Sequence, residues 1–206
     1  MSLRSLIGFA TLAIGCGFLS NTYAITVYDE SVSGDLSNSG LTPTAVVAGL
    51  GSNQIFGSTG NAGTGTDRDY FMINVPAGLQ LSHLFVLPGT TVGGSVSFLG
   101  LQAGNQVTVS TNPANASGLL GWTHYDDSDI NNDILARMGT SGNGSTGFAP
   151  PLKAGSYSFW VQDFNSGNIT YGFDLQLTAV PEPGAYLTLL AGLGLLVLGR
   201  RRARGI

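Results

Sequence analysis

The sequence predicts an all-β ectodomain, a β-sandwich or jelly roll, set between an N-terminal signal helix and a single C-terminal transmembrane helix. Three observations carry that expectation. Between residues 25 and 180, short runs rich in aromatic and β-branched residues alternate with Gly, Pro, Asn and Ser clusters. Several of those runs have a period of two. No long helical period interrupts them.

Residues 1–24 read as a secretory signal. Arg4 supplies a positive start, an apolar run covers 6–19, and Thr22-Tyr23-Ala24 places small residues at −3 and −1 of a cleavage after Ala24. A second reading makes Cys16 the lipidated residue of Ala13-Ile14-Gly15-Cys16, with Ala13 where such a motif favours Leu. The body, residues 25–180, has candidate strands at 25–28, 45–48, 53–57, 70–75, 81–87, 95–99, 106–110, 119–124, 156–162 and 170–177. Phe71, Ile73 and Val75 share one face of their run. Tyr157, Phe159 and Val161 share another, and 171–177 alternates throughout. Turns are expected at Pro76-Ala77-Gly78, Ala103-Gly104-Asn105 and Ala154-Gly155. The Gly-rich stretches 57–66 and 139–147 are expected to be mobile loops. The third segment, 181–206, opens on Pro181-Glu182-Pro183. It continues as fifteen uncharged residues, 185–199, and ends in Arg200, Arg201, Arg202 and Arg204. Fifteen residues rise about 22 Å as a helix, and snorkelling arginines extend the span towards the ~30 Å hydrocarbon core. The arginines stay cytoplasmic by the positive-inside rule, which places the body outside.

Composition excludes several function classes. Charged residues are 10% of the chain, too few for a coiled coil or a charge-rich disordered segment. The body has eleven acids against Arg68, Arg137 and Lys153, a net charge of −8. So acidic a surface does not seek nucleic acid or anionic lipid. The body has no cysteine, so neither a disulfide nor a thiolate acts there.

Val180-Pro181-Glu182-Pro183, an apolar segment and an arginine-rich end, in that order at the C-terminus, resemble the PEP-CTERM sorting signal. The resemblance implies export across a Gram-negative-type envelope and transient anchoring in the inner membrane. It further implies recognition by an exosortase at Pro181, Glu182 and Pro183, and delivery to the surface or an exopolysaccharide or biofilm matrix. Asp69-Tyr70-Phe71 and Leu152-Lys153-Ala154-Gly155-Ser156-Tyr157 resemble bacterial pre-peptidase C-terminal domains. These are non-catalytic β-sandwiches that accompany secreted enzymes.

Two local features carry candidate chemistry. Asp127, Asp129 and Asn131 match positions one, three and five of a calcium loop, with Asp133 available to close the shell. Asn132 stands where such a loop has its turn glycine. Position twelve is Met138 rather than Glu, so no EF-hand is complete. The alternative is an Asx-rich turn. Trp122 and Tyr125, just before that loop, are candidates for a glycan-stacking face; core packing is the alternative. Asp67-Arg68-Asp69 reads as a turn and strand start, with Arg68 pairing a neighbour. His83 and His124 stand outside any zinc or hydrolase motif, and no Gly-x-Ser-x-Gly elbow or phosphate loop occurs. The expected protein is therefore not an enzyme. It is an exported, exosortase-processed surface or matrix protein with a structural or adhesive role. The alternative is a carbohydrate-binding module assisted by Ca²⁺, and a secreted hydrolase has least support.

Overall fold

The structure is a computed structural model that describes residues 23–61, 65–94, 96–111 and 115–181. The signal peptide up to Thr22, the transmembrane span 185–199, the arginine cluster, and Glu182 and Pro183 of the sorting motif lie outside these residues. Among the described residues no helix is long and apolar enough to cross a membrane.

Nine strands form the body: β1 (Ile25–Asp29), β2 (Thr44–Val46), β3 (Gly51–Asn61), β4 (Thr66–Val75), β5 (Leu79–Val86), β6 (Ser97–Ala103), β7 (Gly121–Tyr125), β8 (Gly155–Gln162) and β9 (Ile169–Ala179). Two short helices accompany them, α1 (Glu30–Ser33) and α2 (Leu135–Ser141). The strands make one curled, largely antiparallel sheet in the order β5-β9-β3-β4-β8-β6-β7. β1 adds parallel to β3, and β2 parallel to β4. The all-β class is as expected, and the two layers are arms of one sheet. They join where β3 and β4 pair only at their shared tip, Gly60 opposite Asp67 and Asn61 opposite Thr66.

Period two decides what lies between the arms. Phe71, Ile73 and Val75 of β4, Tyr157, Phe159 and Val161 of β8, and Tyr171, Phe173, Leu175 and Leu177 of β9 all enter one core. The Phe71 and Phe159 rings stack there, centroids 4.8 Å apart. A smaller cluster covers the outside of the β4–β8–β6 arm: Tyr70, Trp160, Val107 and Leu119, with Phe98 and Trp122 against them.

Three expectations are corrected. Residues 106–110 form no strand. Val107 N–H donates to Gly40 O and Thr108 N–H to the Gln102 side chain, so the segment is tied down by isolated bonds while Val107 fills the outer cluster. The Gly-rich stretch from residue 57 continues β3 as far as Asn61, because β9 pairs with it through Thr59. The 139–147 stretch begins inside α2, a seven-residue helix that buries Leu135 and Met138.

The acidic run 126–133 closes the sheet. It leaves β7, forms a 3-10 turn at Asp127–Asp129, and then lines the free edge of β5. Asn131 N–H donates to Val86 O, Val86 N–H to Asn132 O, and Ile134 N–H to Leu84 O. Covering that edge removes a row of unpaired backbone groups.

Replacing Phe159 by Ala removes the largest shared contact of the two stacked rings. Urea unfolding of Phe159→Ala is expected to show a loss of about 3–5 kcal/mol. A loss below about 1 kcal/mol would contradict this core.

Candidate functional site

Two of the four expected calcium-loop residues, Asp129 and Asp133, are committed to other partners. Asp129 accepts both arms of the Arg137 guanidinium at 2.7 Å and also the Asp126 N–H. Arg137 in turn donates to Thr123 Oγ1 and to His124 O, which fastens the turn to β7. Asp133 accepts from the Leu84 and Leu135 N–H groups and contacts His83 Nδ1 at 2.7 Å. Asn131, rather than Asn132, takes the left-handed conformation, at φ 66°. The carboxylates of Asp127, Asp129 and Asp133 do not gather within metal-ligand distance of one another. The run folds as a 3-10 turn with a capping box made by Asp126 and Asp129.

Trp122 and Tyr125 also separate. Three residues apart on one strand, they face opposite sides of β7. Tyr125 is buried edge-on to Phe173 in the core, and burial pushes its phenol well above the usual range. Trp122 stays on the outer face, stacked on Phe98 and edge-on to His124, with its indole N–H donating to Asn143 O. Phe98, Trp122, His124 and Trp160 line a cavity of about 70 Å³. Trp160 is only 3% exposed, and its indole N–H, buried there, has no acceptor.

A group that the sequence did not single out lies at the open end of the core. Glu30 of α1, Asp35 just after it and Asp69 of β4 each bring a carboxylate oxygen within 4.8 Å of the others. Asp67 and Asp69 lie on the same side of β4 as Phe71, and Asp69 is fully buried. Arg68, between them, turns outward to Gln162 Oε1 at 2.9 Å and lies over the Phe164 ring, so it pairs with neither acid. The Tyr171 hydroxyl, from β9 in the opposite arm, donates to Asp69 Oδ2 at 2.7 Å. Glu30 accepts the Leu36 and Ser58 N–H groups at 2.9 and 2.7 Å, latching residues 30–36 onto β3. Gly57 makes this possible: a Cβ there would collide with the Tyr171 phenol and sit 3.0 Å from the Glu30 carboxyl carbon.

Burial and then the Glu30 charge push Asp69 up to about 9, against the lowering effect of the Tyr171 bond. Burial also raises Glu30, and burial with the Asp35 charge raises Asp67. Asp29, Glu30, Asp35, Ser58 and Tyr171 line a cleft of about 610 Å³ open to solvent. The signal that finds this group is strand parity: carrying the Phe71–Ile73–Val75 face back by two and four residues puts Asp69 and Asp67 inside.

The Asp129–Arg137 pair yields a pH prediction. Burial works to raise Asp129, but the Arg137 hydrogen bonds and the Asp126 N–H outweigh it and hold the carboxyl below its ordinary value. A carboxyl depressed on folding adds stability that is present above its unfolded value, about 3.9, and lost as pH falls through the lower folded value. Melting curves between pH 7 and 2 are therefore expected to fall less steeply with acid in Asp129→Asn than in the parent. Parallel acid limbs would contradict this.

Comparison with known proteins bears on the C-terminal end. A family model described as the PEP-CTERM protein-sorting motif matches residues 179–203. No curated protein and no solved structure matches the chain. The matched tail supports an exported, exosortase-processed protein that is transiently membrane-anchored and ends at the cell surface.

Proposed function

We propose that the protein is a non-catalytic surface or matrix component, released from its sorting tail as an intact β-sandwich and acting structurally or adhesively within exopolysaccharide. One observation carries this reading: where the fold stops. β9, paired with β3 on one side and β5 on the other, ends at Ala179, the residue at which the sorting match begins. The last backbone bond of the domain is Val180 N–H to Gly78 O, at 2.8 Å. Processing at Pro181–Pro183 therefore breaks no ladder bond among the described residues, and the body is expected to survive separation from its tail.

A second reading rests on the outer aromatic cavity. An unpartnered indole N–H beside Phe98, Trp122 and His124 offers a hydrogen bond and stacking surface to a sugar substituent. This would make the domain a carbohydrate-binding module. Affinity electrophoresis through the host's exopolysaccharide is expected to retard the protein, and Trp122→Ala to abolish the retardation. Equal mobility of the parent with and without polysaccharide rejects this reading.

The primary reading is tested by mass spectrometry of the C-terminal peptide from surface and extracellular fractions. A chain ending near Pro181–Pro183 is expected. A chain ending at Ile206 and confined to the inner membrane would overturn it.

A further inference from the structure

We infer that Glu30, Asp35 and Asp69 form a calcium site at the open end of the core, and that the bound ion fastens the N-terminal segment to β4. The geometry suits the ion. Calcium takes six to eight oxygen ligands at about 2.3–2.6 Å, so ligands on opposite sides of it lie about 4.6–5.2 Å apart. The three carboxylates, mutually within 4.8 Å, span that distance. They come from two parts of the chain, residues 30–35 and β4, which the fold brings together.

A gathering of acids is not in itself a site, and a second observation makes this one specific. Asp69 is 0% exposed, and while its Oδ2 accepts from Tyr171, its Oδ1 is buried without any hydrogen-bond partner. Asp67 Oδ1, two residues before it on the same side of β4, is equally without a donor. A buried carboxylate oxygen requires a donor, a cation or a proton of its own. Neither ion pair among the described residues, His83–Asp133 or Arg137–Asp129, touches the group. The protein therefore turns four acids towards one place and, among the described residues, sets no base against them. Glu30 and Asp35 line the solvent-open cleft and give an ion a way in. Water from the cleft can complete a calcium shell, as hard cations permit. Export to the cell surface suits such a site, since extracellular calcium modules bind at about 10⁻⁴–10⁻³ M.

Terbium tests the site, because it occupies calcium sites and emits when a nearby tyrosine transfers excitation to it. The Tyr171 phenol, hydrogen-bonded to Asp69, would lie against the bound ion. Titrating the full chain in detergent with Tb³⁺ is expected to give saturable sensitised emission that Ca²⁺ displaces. Asp35→Asn is expected to weaken binding about tenfold or more, since affinity in such sites follows ligand charge. Asp35 is exposed, so this variant keeps the fold, which circular dichroism checks. Glu30→Gln should act in the same direction, and Asp127→Asn in the 126–133 turn should leave binding unchanged. Absence of saturable emission from the parent would overturn the inference and leave the buried acid neutralised by a proton. Binding that survives Asp35→Asn but fails in Asp127→Asn would overturn it equally, by returning the ion to the turn.

Discussion

A strand paired on both sides has two faces and no other freedom, and that constraint governs β4. Because Phe71, Ile73 and Val75 must face the core, Asp69 and Asp67 must face it too. A one-residue slip would free the acids but expose the apolar set. The β8 pairing, from Val75 opposite Gly155 to Arg68 opposite Gln162, fixes the register against that slip. The chain thus holds carboxylates at one end of an apolar core, and the surrounding structure is arranged to receive them. Tyr171 reaches across from the other arm, Gly57 clears space for its ring, and α1 folds Glu30 back onto Ser58 N–H.

That polar end and the closed edge of β5 divide the work of holding the curl. At one side the 126–134 segment lines β5 and is fastened to β7 through Asp129 and Arg137. At the other, the Tyr171–Asp69 bond ties β9 to β4. Between them lies a continuous apolar interior, and β9, which crosses it, ends at Ala179.

Much of this was legible in the sequence, for a physical reason. Alternation over 70–75, 156–162 and 170–177 reports a half-buried pleated face directly, and those faces are the core. The 106–110 run misled because an apolar residue can be buried by a loop: Val107 covers the outside of the sheet without pairing into it. α2 was missed because seven residues are too few to display a helical period. The acidic 126–133 run looked like a cation loop by spacing alone. Spacing cannot reveal that Arg137, eight residues on, takes both oxygens of Asp129. Conversely, Glu30, Asp35, Asp69 and Tyr171 are scattered along most of the body, and only the strand order β9-β3-β4 makes them neighbours. Asp67-Arg68-Asp69 looked self-compensating in sequence. On a strand the middle residue faces away, and Arg68 does so.

An ion from outside that completes Asp69, the buried acid of β4, can be seen directly. Crystals grown with calcium and examined by anomalous scattering at a long wavelength test this most directly. A peak enclosed by Glu30, Asp35 and Asp69, beside the Tyr171 hydroxyl, is expected. No anomalous peak there at saturating calcium would contradict it.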